Sequence, residues 1–249
     1  MTITSPHNEK LKLIRRLGRR RSRDREGLFI GEGEDLLAAA RAAGAEPVEL
    51  LTAAGEGLGG TEVEPALLAR VSKLGSGTRA IGVWREAWAE GAEAPCVYLH
   101  GMSDPGNVGT VIRTAQALVG GSVVLGSDCA DPYGPHAVRA SMGAVFAEPL
   151  IRGGIQLTPE PRAALVAHGG EPLDALDGVA TVCLGAEREG LPGETLERCG
   201  VRVTIPLREG AESLNVAAAA AIALQRISKG AAQAKPSGNP FNARDSHGD

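Results

Sequence analysis

Short apolar runs alternate with helical patterns along most of this chain. Val97-Tyr-Leu99, Ser122-Val-Val-Leu125, Val179–Leu184 and Val201–Ile205 are bounded by Gly, Asp or Pro, as strands buried on both faces of a largely parallel sheet are. Between and after them the spacing predicts helices over Val108–Val119, Pro135–Val145 and Leu214–Ser228. The first ninety residues repeat the theme on a smaller scale. There Asn8–Leu17 predicts a helix entering an Arg-rich loop, Leu28–Ile30 a strand, Glu34–Ala43 a helix closed by Gly44, and Val48–Leu51 a strand. Glu64–Leu74 and Arg79–Trp84 add a helix and a strand. The alternation places the chain in the α/β class, a small α/β sandwich ahead of a larger layered sheet. Polar Glu90–Pro95 reads as a linker between domains at 1–90 and 95–229, and residues 230–249, with almost nothing to bury, read as a disordered tail.

Composition adds limits. Aromatic residues are only 3% of 249, so the core is expected to be Ala, Val, Leu and Ile, with 34 glycines at turns. No apolar run reaches the ~18 residues that span a bilayer, and the basic N-terminus has no apolar segment behind it. A cytoplasmic protein is expected. Cys96, Cys129, Cys183 and Cys199 form no C-x-x-C pair and read as buried thiols, and the five histidines lack metal-ligand spacing, so no bound metal is expected.

Net charge is −4, which taken whole argues against nucleic acid. Its distribution argues the other way. Residues 1–26 carry nine basic side chains against Glu9, Asp24 and Glu26, a local +6 that leaves −10 on the rest. Arg19, Arg20 and Arg21 lie in this arm, which is suited to salt-sensitive binding of RNA phosphates.

Three separated segments carry the chemistry: Asp104-Pro-Gly-Asn-Val-Gly-Thr-Val-Ile-Arg-Thr-Ala115, Leu184-Gly-Ala-Glu-Arg-Glu-Gly190 and Ile205-Pro-Leu-Arg-Glu-Gly-Ala-Glu-Ser-Leu-Asn-Val216. The second and third follow predicted strands, so their loops fall at strand carboxyl ends, where open α/β sheets bind ligands. Ser213 is placed as N-cap of the Ala-rich helix, with Asn215 in its first turn. With a helix starting at Val108, Arg113 emerges a turn and a half in.

In this order the segments resemble the three motifs of the SpoU, or TrmH-type, RNA ribose 2′-O-methyltransferases of the SPOUT superfamily, a resemblance covering Val97–Ile227. Asn8…Phe29-Ile-Gly-Glu-Gly33 more loosely resembles the substrate-binding domain that precedes many rRNA-modifying members. The resemblance implies a SPOUT-type parallel sheet with a deep trefoil knot, a topology periodicity never shows. It implies S-adenosylmethionine held by Leu184, Gly185, Ile205, Leu207, Leu214, Asn215 and Ala217, and a catalytic group of Arg113, Asn107, Glu187, Ser213 and Asn215. Asn107 positions the site, Glu187 supports its loop, and Arg113 helps to activate the 2′-OH. Guanidinium offers only donors and stays protonated, so phosphate anchoring and 2′-OH orientation are the expected roles rather than proton abstraction.

Asp131–Gly143 is similar to the family's stretch between motifs one and two, in which Arg139 and Ser141 are expected to face RNA. The segment between Ile151 and Ala163 departs from the family, being too short and too rich in breakers for the usual helix. The implied assembly is a homodimer through the C-terminal domain, Arg113 of one subunit serving the other's cofactor. The implied substrate is structured RNA, rRNA ahead of tRNA. The alternative is a non-catalytic RNA-binding or ribosome-assembly protein of the same fold. A dinucleotide-binding oxidoreductase is set aside because no G-x-G-x-x-G follows a first strand.

Overall fold

The computed structural model describes residues 2–73, 75, 77–211 and 213–234, with backbone only for 229–234. Asn8 starts helix α1 (Glu9–Leu17), its Oδ1 accepting the Lys10 N–H at 2.9 Å. The expected Arg-rich loop is instead a second helix, α2 (Arg20–Glu26), ended by Gly27 in the left-handed region. A four-stranded sheet follows in the order β1-β4-β2-β3, from β1 (Leu28–Glu32), β2 (Glu49–Ala53), β3 (Thr61–Val63) and β4 (Ala80–Arg85). Helices α3 (Glu34–Ala42) and α4 (Pro65–Val71) connect its strands.

Period-two alternation sends neighbouring residues to opposite faces of this sheet. Ile30, Ile81 and Val83 pack with Leu11, Ile14 and Leu17 of α1 and Leu68 of α4. Phe29 and Trp84 pack the other way, with α3, in a core that continues without a break into the rest of the molecule through Tyr133, Val138 and Val145.

The second sheet has six strands, every pair parallel, in the order β10-β8-β9-β5-β6-β7. They are β5 (Cys96–Leu99), β6 (Ser122–Leu125), β7 (Leu150–Arg152), β8 (Arg162–Leu165), β9 (Thr181–Leu184) and β10 (Val201–Val203). One face carries Val97, Leu99, Val123 and Val182 beneath α5 (Pro105–Leu118), α6 (Pro135–Ser141) and α8 (Val216–Ala234). The other carries Cys96, Tyr98, Val124 and Cys183, with Leu196 of the short α7 (Gly193–Leu196) packed against them.

α5 and α6 approach closely at Gly109. A Cβ there meets the Ala137 carbonyl, the Ala140 side chain and the Ser141 nitrogen, so only glycine fits. Between β7 and β8 a single 3-10 turn, Ile155–Leu157, stands where the family's helix is lacking.

Several expected boundaries change. The helix expected over Pro135–Val145 ends at Ser141 and resumes as a 3-10 turn at Ala144–Phe146. Helix α8 continues through Ala234, so 230–234 are not tail, and 235–249 lie outside the described residues. Glu90–Pro95 is stitched down rather than free-standing: the Glu93 N–H donates to Ser122 Oγ at 2.9 Å and the Ala89 N–H to the Leu150 carbonyl at 2.8 Å. Cys96, Cys129 and Cys183 are buried and Cys199 half-buried, all free, and burial pushes the Cys96 thiol up to about 12.

Candidate active site

The three motif segments leave the carboxyl ends of β5, β9 and β10 and meet. After β5, Asp104 caps α5, its Oδ1 accepting the Asn107 N–H at 2.8 Å, with Pro105 in the first turn where no N–H is needed. After β9, the Ala186 and Gly190 backbones pair at 3.0 and 3.1 Å, making a tight turn that holds Glu187 at its tip. Gly185 sits against Gly190 so closely that any Cβ collides with the Gly190 carbonyl group.

Asn215, not Ser213, caps α8. Its Oδ1 accepts the N–H of Ala217 at 2.9 Å and of Ala218 at 3.4 Å. With that oxygen committed to the helix end, its Nδ2 points to the other two segments: 3.1 Å to Asn107 Oδ1 and 3.3 Å to Glu187 Oε1. Asn107 then has its own Nδ2 free to donate to Glu187 Oε1 at 2.8 Å. Each amide has one orientation that satisfies every partner, so the network sets all three side chains together.

Beside it opens a cavity of about 360 Å³ between the ends of β8, β9 and β10 and the start of α8. Leu184, Gly185, Ile205, Leu207 and Leu214 line it, together with Glu187 and Ser213. Asn215 and Ala217 do not; Asn215 works at the rim through the network, and Ala217 is buried in the helix packing. Leu165, Val166 and Ala167, at the end of β8, also line the cavity and are not among the expected residues. The apolar run Ala163–Ala167, bounded by Pro161 and Gly169, was the available signal.

Arg113 stands apart. Because α5 begins at Pro105, it lies more than two turns in, exposed, outside the cavity lining, with no ion pair among the described residues. Arg139 is exposed on α6. Ser141 is the opposite of what was expected: wholly buried under α5, its hydroxyl donating to the Val138 carbonyl at 2.7 Å, it presents nothing to a ligand. Arg20 and Arg21 are exposed on α2 and Arg19 at its N-cap, whereas Arg23 of the same run is buried against Asp131. Among the described residues no three His, Cys, Asp or Glu side chains gather as metal ligands, and no helix is long and apolar enough to cross a membrane.

Known proteins resemble this chain in sequence and in fold. An uncharacterized tRNA/rRNA methyltransferase of Mycobacterium tuberculosis is 37% identical over 139 residues, 50% of this chain and 48% of the relative. The 23S rRNA (guanosine-2′-O)-methyltransferase RlmP of Bacillus subtilis is 34% identical over 138 residues, 51% of this chain and 54% of RlmP. The chain thus spans about half the length of these curated relatives.

Solved structures match more fully. An AdoMet-bound rRNA methyltransferase from Sinorhizobium meliloti superposes with a TM-score of 0.80 at 27% identity, covering 91% of this chain and 96% of that one. A structure described as an RNA 2′-O ribose methyltransferase gives 0.77 at 28%, covering 93% and 100%. An MRM3-like substrate binding domain model matches residues 8–90. The SpoU rRNA methylase model matches residues 94–225, just over half of the 249 positions, and the chain belongs to that family.

Proposed function

We propose that this chain transfers a methyl group from S-adenosylmethionine to a ribose 2′-OH of structured RNA, rRNA ahead of tRNA, as a cytoplasmic homodimer. The observation that carries the reading is the Asn107–Glu187–Asn215 network, which ties three motif segments together at the rim of one cavity. The residues present fit the methyl donor. The cavity volume lies in the range of small-molecule sites, its walls are mainly aliphatic, as a purine ring requires, and Gly185 and Gly190 expose backbone to it. Glu187 and Glu189 outnumber Arg188 at its edge, a balance that favours a cationic ligand. When bound, the donor supplies an electrophilic methyl on a sulfonium.

The chain's own side chains do the rest. Leu165, Leu184, Ile205, Leu207 and Leu214 exclude water, and the network holds the rim in place so that orientation is settled before the substrate arrives. Arg113 grips a phosphate and orients the 2′-OH through its donors. Its exposure outside the cavity of its own chain supports service to the partner subunit's cavity. A threaded C-terminus belongs to the same reading: residues after edge strand β10 return past Asn107 and Glu187 to a helix packed on α5. Residues 1–90 act as the RNA-binding domain and 95–229 as the methyltransferase domain, supported by the two family matches and by the exposed arginines of α2.

Calorimetric titration tests the donor. S-adenosylmethionine is expected to bind one per chain and NAD not at all; the reverse result rejects the reading. Transfer of a labelled methyl to purified rRNA and tRNA, followed by nucleoside analysis, then reads the acceptor, and label on a base instead of ribose refutes the 2′-O assignment.

A further inference from the structure

A second cavity, about 390 Å³, lies at the carboxyl ends of β6 and β7, on the opposite flank of the sheet from β8 and β10. Its walls include the loop after β6, Arg152 at the end of β7, Trp88, and Arg20 of α2. It is therefore built where the Arg-rich helix meets the parallel sheet. β6 stands two strands from β9, roughly 10 Å away, so this cavity and the methyl-donor cavity share one edge of the sheet.

Three of its groups suit an unpaired base. The Arg152 guanidinium lies over the Trp88 ring, 4.3 Å from its centroid, and the Arg152 side chain remains 48% exposed. Trp88 is itself fixed, donating from Nε1 to Glu86 Oε2 at 2.9 Å and meeting Tyr133 edge-on. A stacking platform thus stands assembled before any ligand arrives. Asp128, exposed and in the left-handed region at φ 58°, lines the same cavity, and its carboxylate carries two acceptor oxygens. The second carboxylate in the wall, Asp131, is neutralised by Arg23. Arg20, 55% exposed and only loosely paired with Asp24 at 3.8 Å, leaves a cation for the adjoining phosphate.

Unpaired RNA bases are recognised by stacking on aromatic or guanidinium planes combined with hydrogen bonds to their edges. Two carboxylate oxygens match the adjacent N1–H and N2–H donors of guanine, a pair that no other standard base presents. We propose that this cavity is a guanine subsite for an unpaired nucleotide near the one methylated, with the base stacked on Arg152 and its edge on Asp128. The inference rests on the RNA-methyltransferase reading and extends it to what the enzyme selects in its substrate.

The test uses the full chain and three fluorescent single-stranded oligoadenylates: one with a central guanine, one with inosine there, one with adenine only. The guanine probe is expected to bind about tenfold tighter than the adenine probe, a typical gain for a bidentate base contact, with inosine between them. Asp128→Asn, which the left-handed backbone tolerates, is expected to abolish the guanine preference. Arg152→Lys keeps the charge but not the plane and is expected to weaken the guanine probe about fivefold. Equal binding of guanine and adenine probes by the wild type, or an Asp128→Asn protein that keeps the preference, overturns the subsite. If the wild type binds S-adenosylmethionine and methylates RNA yet shows no guanine preference, the subsite falls and the enzymatic reading stands. If it binds neither the donor nor any probe, both fall.

Discussion

Two polar networks in this molecule each join residues 108 positions apart, Arg23 to Asp131 and Asn107 to Asn215. Loop-closure entropy is therefore the same for both, and what separates them is water. Arg23 and Asp131 have side chains only 5% and 6% exposed. Arg23 Nε and Nη2 both reach Asp131 Oδ2, at 2.9 and 2.6 Å, Nη1 donates to the Leu17 carbonyl, and Asp131 Oδ1 accepts the Tyr133 N–H. That network is a pin between the Arg-rich helix and the parallel sheet. The Asn107–Glu187–Asn215 network lies at a cavity rim in contact with solvent, where its expected contribution to stability is small and its proposed role is to order the groups around the methyl donor. An arginine inside a basic run and a glutamate inside a glycine turn look equally available in sequence; burial assigns one to architecture and leaves the other open to the proposed chemistry.

The contrast breaks most sharply at Asp131. Asp131→Ala leaves a buried guanidinium unpaired and is expected to cost about 3–5 kcal/mol in urea unfolding, whereas Asn107→Ala costs about 1 kcal/mol. Equal losses would erase the distinction. Next in size, Arg113→Ala is expected to lower methyl transfer at least about 100-fold with donor affinity, by calorimetry, within about twofold; near-normal turnover removes Arg113 from the mechanism.

Glu148 sharpens the comparison as a buried carboxyl without a cation. Burial raises it to about 7, a Gly121 N–H opposing, and its Oε1 has no hydrogen-bond partner among the described residues. The folded state thus holds this proton more tightly than the unfolded chain does. Stability from Glu148 is full below about pH 4.5 and declines by roughly 2–3 kcal/mol as pH rises to about 7. Unfolding of Glu148→Gln across that window is expected to lack this decline. The smallest effect is expected at the exposed end of the basic run: replacing Arg19, Arg20 and Arg21 by alanine weakens RNA binding about tenfold and lowers the log–log salt slope by about 2. An unchanged slope makes those arginines bystanders.

Much of the layered architecture was readable from the apolar runs, because strands buried on both faces leave uninterrupted Val and Leu segments such as Ser122–Leu125. β8 is harder to read because it opens on Arg162 directly after Pro159 and Pro161. That arginine is buried by bonds to Thr158, Oγ1 at 2.9 Å and the carbonyl at 2.7 Å, and to Glu160, none visible along the chain. β7 is three residues long, too short for any period. At the site, the three segments were legible, but Ser213 and Asn215 are equally good caps by residue type, and only the path from β10 decides between them. Ser141 looked exposed because nothing in its own helix reveals that α5 lies across it.

Asn215 holds the first turn of α8 with its oxygen and the other two motif segments with its nitrogen. The rim is consequently unfinished until α8 is synthesised and docked. A nascent chain that has emerged only as far as Glu187 holds two of the three partners and no closed rim, and proteolytic clipping between Glu187 and Asn215 returns the protein to that immature state.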